Sequence, residues 1–162
     1  MPAVHLPPDL LAMMARGVSV IVGSRDANLR PSVMRGVGSR VEADGTSVTV
    51  YLSRPQSRQL LQDIAATGHI AVVFSEPSTH RTVQLKASRT VQRSAQPDDA
   101  PVLAAYLASM EREIQAVGFR PELTRAMLAH RLEDVVALTF TPEQAFEQTP
   151  GPRAGAPLGD AR

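Results

Sequence analysis

The sequence predicts a mainly β fold of the α+β kind, an antiparallel barrel of about six strands with flanking helices. Three observations carry this. Short β-branched or alternating runs are joined by hairpin-sized connections, of which Asp44-Gly45 is the clearest. The run from Ile70 to Phe74 is apolar on both faces, as a strand in a barrel wall must be when something also packs on its outside. After a short opening helix, helical patterns fall only between the third and fourth strands and before the last. Strands and helices therefore do not alternate as a parallel sheet requires.

The elements follow in order. Pro7-Pro8-Asp9, then Leu10, Leu11, Met13 and Met14, then Gly17, read as a short helix with a proline start and a glycine stop. Val18 to Gly23 is a β-branched strand, and Arg25-Asp26-Ala27-Asn28 is the turn after it. Pro31 to Val37 and Arg40 to Glu42 form a second strand with a break or bulge at Gly36-Val37-Gly38. That glycine pair is not a dinucleotide loop, because Val41 stands where the third glycine belongs and no helix pattern follows. In the strand from Ser47 to Leu52, Val48, Val50 and Leu52 share one face, and Thr49, Tyr51 and Ser53 the other. Leu60, Leu61, Ile64 and Ala65 stripe a helix that Gly68 ends. His69 to Ser75 is the fourth strand, and Thr82 to Gln92 reads as one long fifth strand. Asp98 or Asp99 caps a helix striped by Leu103, Tyr106, Leu107, Met110, Ile114 and Val117, and Gly118 stops it. Pro121 opens a shorter helix through Leu123, Met127 and Leu128, and Val135 to Thr141 is the last strand.

Residues 1–148 thus make one domain, which suits a chain of 162 residues, 43% hydrophobic and 20% charged. Residues 149–162 form a Pro/Gly-rich C-terminal tail with little to bury, expected to be extended or without fixed structure. A net charge of +1 gives no electrostatic footprint for nucleic acid or a membrane surface. The chain has no cysteine, which excludes disulfides, cysteine nucleophiles and thiolate metal sites. Neither a membrane span nor a signal-peptide core is visible, so a cytoplasmic protein is expected. His5, His69, His80 and His130 lack ligand-like spacing, and no metal site is expected.

The richest chemistry lies between Arg30 and Arg58. A strand ending in the hydroxyl-bearing turn Ser53-Arg54-Pro55-Gln56-Ser57-Arg58 opens a helix there, and free N–H groups at a helix start attract anions. Arg54 and Arg58 flank that point, while Arg30 and Arg35 come from the preceding strand. The expected ligand is phosphorylated. Arg30 and Arg35 are five residues apart, so both reach one ligand only if a bulge intervenes or one of them lies in a loop.

This order of elements, together with Arg30 to Arg35, Tyr51 to Arg58, Ile70 to Phe74 and Thr82-Val83-Gln84-Leu85-Lys86-Ala87, resembles the FMN-binding split-barrel family typified by pyridoxamine 5′-phosphate oxidase. The resemblance covers roughly residues 10–150. It implies a six-stranded antiparallel split barrel, working as a homodimer with FMN at the subunit interface. By the same resemblance Arg30, Val33, Met34 and Arg35 lie along the flavin, and Ser53, Ser57 and Arg58 grip its phosphate. Tyr51 packs beside the cofactor, and Gln84 and Lys86 meet the flavin or the partner subunit.

The pattern also departs from the oxidases. Gln59 stands where they often carry Lys, and Ala87 where relatives usually place Gly. The C-terminal tryptophan and arginine–histidine segment that hold pyridoxamine phosphate have no counterpart. The expectation is an FMN-dependent oxidoreductase of another small-molecule substrate, not a pyridoxamine phosphate oxidase. Its catalytic residues are not identifiable, because the flavin carries the redox chemistry. A haem- or deazaflavin-binding relative of the same fold, and a non-catalytic flavin-binding or structural module, are the rival readings.

Overall fold

The alternation read above becomes two antiparallel sheets in the computed structural model, which describes residues 4–159. The chain runs α1 (Pro8–Ala15), β1 (Ser19–Arg25), β2 (Pro31–Arg35), β3 (Gly38–Val41), β4 (Val48–Ser53), α2 (Arg58–Thr67), β5 (Ile70–Ser75) and β6 (Thr82–Ala87). It continues β7 (Val91–Ser94), α3 (Ala100–Ala116), α4 (Pro121–Met127), β8 (Val135–Phe140), β9 (Gln144–Glu147) and β10 (Pro157–Leu158). The larger sheet has the order β10-β9-β6-β5-β1-β2, and the smaller β3-β4-β8-β7. No ladder among the described residues joins them into a closed barrel.

Between the sheets lies the main core. Val20 and Val22 of β1, Val72 and Phe74 of β5, and Val83 and Leu85 of β6 face Val48, Val50 and Leu52 of β4 and Leu138 of β8. Helix α2 closes one side with Leu60, Leu61 and Ile64, and α1 another with Leu10, Met13 and Met14. A second cluster of Val37, Tyr51, Leu103, Val135 and Ala137 sits on the outer side of the smaller sheet, under α3.

Ten strands replace the six expected for a definite reason. The strand broken at Gly36 is two strands in different sheets: Gly36 N–H donates to the Val20 carbonyl at 2.8 Å, while the next amide, of Val37, donates to Tyr51 at 2.8 Å. A Cβ on Gly36 would stand 3.1 Å from Val20 Cγ1 and 3.3 Å from the Tyr51 carbonyl, so this crossing favours a residue without a side chain. Thr82 to Gln92 is likewise not one strand. Its alternation holds through Ala87, but Arg89 stands where the next apolar residue would fall; Ser88 N–H and Oγ turn to Glu143, and the chain passes from β6 in one sheet to β7 in the other. β9 and β10 are short and were not visible as alternation.

On β5 Ile70, Val72 and Phe74 are buried, and Ala71 and Val73 are partly buried on the outer face; of the two covers expected there, a helix or a subunit, no described helix makes substantial contact with β5. Two other expectations are corrected. The α3 stripe runs out before Val117, and Val117 and Leu123 are exposed at the α3–α4 turn. The tail is ordered through residue 159: Gly155 N–H donates to the Glu147 carbonyl, and β10 pairs with β9. Gly151 and Gly155 supply the positive φ that folds it back, so the residues read as structureless act as turn formers. The tail's last three residues lie outside the described residues.

Candidate functional site

Strand order decides what the outer face of the larger sheet presents. Registers β2–β1–β5–β6 place Arg35, Ile21, Val73 and Gln84 side by side in one row, with Phe146 of β9 continuing it. The next row is Val33, Gly23, Ala71 and Lys86, continued by Gln144. At about 4.8 Å per strand these rows are roughly 14 Å wide from β2 to β6. Their centre is small and apolar, and their margins are cationic or amide-bearing. Lys86 Nζ lies 5.0 Å from the centre of the Phe146 ring, and Arg35 Nη1 donates to Ser19 Oγ at 2.8 Å. Val33, on the edge strand, is 64% exposed.

Gly23 and Ala71 are adjacent across β1 and β5, and the missing side-chain bulk leaves a depression. A cleft of about 520 Å³ opens there, within the range of cofactor sites. Its walls include Arg25, Pro31, Val33, His69, Lys86 and Glu143. The floor is backbone with little side-chain bulk, with Arg25, Lys86 and the Glu143 carboxylate around it, a shape suited to a planar ring.

The second part of the site is the start of α2. Ser57 precedes the helix but makes no capping bond, and its buried Oγ has no partner among the described residues. The first-turn amides therefore lack a side-chain cap, and Arg58 stands exposed beside them. An orphaned hydroxyl, uncapped amides and an arginine make a donor set with no acceptor, which fits a phosphate. Ser53, at the end of β4, is buried just before this turn, and Gln56 N–H donates to its carbonyl at 3.2 Å.

The sequence-identified residues fall into separate groups. Val33, Arg35, Gln84 and Lys86 share the outer face, and Ser53, Ser57 and Arg58 share the approach to α2. Helix α2 lies across the inner side of β1 and β2: Ser32 Oγ donates to Asp63 Oδ2 at 2.5 Å, and Thr67 Oγ1 reaches the Arg25 carbonyl at 3.5 Å. Arg30 occupies the β1–β2 turn, where its N–H donates to Asp26 Oδ1 at 2.9 Å; it is thus in a loop, and near the far end of α2 from Arg58. Ten helical residues separate those ends by about 15 Å. The side chain of Met34 turns inward against the core. Tyr51 is buried under α3, and its hydroxyl donates to Asp99 Oδ1 at 2.8 Å. Burial, then that carboxylate, pushes the Tyr51 hydroxyl up to about 12. Arg93, bonded through both terminal nitrogens, holds Asp99 well below the usual carboxylate range. Tyr51 therefore belongs to a structural network.

Gly23, Arg25, Ala71, Glu143 and Phe146 were missed by sequence reasoning. A glycine inside a β-branched strand and an alanine among bulky neighbours were the available signals. Their significance depends on β1 and β5 being neighbours, which alternation does not report.

No protein-family model matches the chain, and no curated protein matches it. Solved structures do. A provisionally assigned pyridoxamine 5′-phosphate oxidase from Lactobacillus delbrueckii is 13% identical with a TM-score of 0.56, covering 88% of this chain and 93% of that one. A pyridoxamine 5′-phosphate oxidase-related, FMN-binding protein from Nostoc punctiforme is 13% identical with a TM-score of 0.51, covering 91% and 87%. A protein named F420 reductase is 16% identical with a TM-score of 0.52, covering 86% and 98%. At these identities the likeness is one of fold: the chain has the split-barrel fold of the pyridoxamine 5′-phosphate oxidase-like proteins. No described helix is long and apolar enough to cross a membrane.

Proposed function

We propose that the protein binds FMN and acts as a flavin-dependent oxidoreductase on a small molecule other than pyridoxamine phosphate. The observation that carries this is the pairing of a flat, apolar, cation-edged cleft with an uncapped helix start. Edge strand β2 separates the two, with the outer platform on one side and α2 on the other. Val33, Gly23 and Ala71 would receive the ring, Arg35, Gln84 and Lys86 would border it, and Ser57, Arg58 and the first-turn amides of α2 would hold the phosphate. The flavin, when bound, supplies two-electron transfer; the chain binds it, orients it and limits water around it.

The outer face also supports a homodimer. Ile21, Val73, Ala71 and Val33 form an apolar strip that a second copy would cover, and a partner there would roof the ring site. This gives the uncovered side of β5 a partner and places the cofactor at the interface.

Haem is the second reading, favoured by His69 in the cleft wall. Deazaflavin, chemically close to flavin, would use the same platform. The absorption spectrum of the protein as purified, and after incubation with each cofactor, separates these. Perturbed flavin bands are expected; a Soret band, or no perturbation by any of the three, overturns the FMN reading.

A further inference from the structure

The outer side of the smaller sheet is only partly covered. Helix α3 seals the end around Gly38 and Tyr51 through Leu103. Farther along, Thr49, Thr139 and Val91 stand in one row across β4, β8 and β7, with Val91 68% exposed. A second cavity of about 370 Å³ opens there, lined by Ser47, Arg89, Val91, Thr139, Thr141 and Glu143 among others.

Arg89 is the notable member. It has no ion pair among the described residues. Its backbone is nevertheless tied down on both sides. Ser88 N–H and Oγ donate to the two Glu143 oxygens at 3.1 and 2.8 Å, and Thr90 Oγ1 donates to the Gly68 carbonyl at 2.9 Å. Gly68 has a φ of +75°, and a Cβ there would lie 2.6 Å from the Ser88 carbonyl oxygen, so the turn is pressed onto the end of α2. Glu143 is the one carboxylate in the described cavity wall; each of its oxygens accepts one bond from Ser88, which holds it on the turn, and no ion pair joins it to Arg89. A fixed turn thus presents an uncommitted guanidinium to a cavity bordered by three hydroxyls.

We propose that this cavity is an anion site, separate from the cleft on the larger sheet, for a small carboxylate- or phosphate-bearing molecule. Arg89 supplies paired N–H donors that match either group. Ser47 and Thr141 add hydroxyl donors, while the Thr139 hydroxyl is shared with Thr49 at 2.9 Å. Val91 offers an apolar edge for the carbon skeleton. The volume falls within the range of small-ligand sites. The site stands whatever the first cleft binds, although Glu143 lines both.

The test is a titration of the isotopically labelled full chain with inorganic phosphate and, separately, with succinate, followed by amide NMR at constant ionic strength set with chloride. Saturable shifts are expected at Arg89, Thr139 and Thr141 with at least one of the two anions, and which one saturates names the anion. Arg89→Gln should weaken that binding at least tenfold, and Thr141→Val should weaken it less. Arg112→Gln, an equal charge change on the exposed side of α3, should leave it intact. Shifts that never saturate, that survive Arg89→Gln, or that centre on Gly23 and Ala71 would overturn the proposal.

Discussion

Asp99 and Arg58 show two opposite uses of charge. Asp99 is buried, and each of its oxygens is engaged: Tyr51 and Arg93 donate to Oδ1, Arg93 and the Gln96 amide to Oδ2. Asp99→Asn should cost about 1.5–3 kcal/mol at neutral pH, the usual worth of a hydrogen bond to a charged group. The pH dependence has a definite sign. Asp99's folded-state pKa is depressed, so its stabilisation is fully present above its ordinary value near 4 and is lost as pH falls toward the lower folded value. The gap between wild type and variant in denaturant melts should therefore shrink below about pH 4; a gap that is constant with pH would contradict the ionised network. Arg58, by contrast, is exposed and free to meet a ligand. Arg58→Ala should weaken FMN roughly 10- to 150-fold, the equivalent of one charge-assisted contact, while barely affecting riboflavin, which lacks the phosphate. Equal losses in parallel fluorescence titrations would assign Arg58 to the fold.

Helix α2 links the sheets to the site, and its ends are unequal. Its start is uncapped, and its C-terminus is closed by Gly68 against the Ser88 carbonyl. Gly68→Ala adds a side chain both at a left-handed φ and against backbone that cannot easily yield. A loss of about 1–3 kcal/mol in the unfolding midpoint analysis is expected; a neutral result would show that the β6–β7 turn is loose. Much of this architecture was legible. The alternation of Val48, Val50 and Leu52 is the burial pattern of β4, and Gly36 marks the crossing as a break. What was not legible has a common physical cause: alternation records which way a side chain points, not which strand lies beside it. In Thr82 to Gln92 the only mark of the change of sheet is Arg89 at the position where the alternation of Val83, Leu85 and Ala87 would place an apolar residue. Tyr51 and Ser53 do share a face, but α3, distant in sequence, covers the tyrosine. The cleft depends on Gly23 meeting Ala71 across two strands far apart in the chain. The grouping of Ser57 and Arg58 at the start of α2 was readable because they are contiguous with the helix.

Taken together, the two sheets bury the main core between them and leave the outer face of the larger sheet without a covering helix, an apolar strip of Ile21, Val73, Ala71 and Val33 between polar margins. Stable interfaces bury about 1,200–2,000 Å², and the outer face of a six-stranded sheet is the natural source of such an area. Val73→Glu places a charge on that face without touching the main core. Light scattering should find the wild type dimeric and Val73→Glu monomeric at micromolar concentration, with circular dichroism unchanged; a monomeric wild type would sink the dimer. The ordered tail bears on substrate. β10 is pinned to β9 at the sheet edge, and the residues after His130 include no Trp, Tyr or His to clamp a second phosphorylated ring. FMN-loaded protein should accordingly turn over pyridoxamine phosphate far below about 1 s⁻¹, the low end of ordinary enzymes, and a rate at or above it would restore the oxidase reading. The central claim, that this fold is a flavin platform, is tested most directly by titrating cofactor-free protein with FMN and following the visible absorption bands. Saturation at one FMN per chain in the micromolar range, weakened sharply when Gly23→Leu fills the floor of the cleft, is the result expected; no saturation, or saturation indifferent to Gly23→Leu, would contradict it.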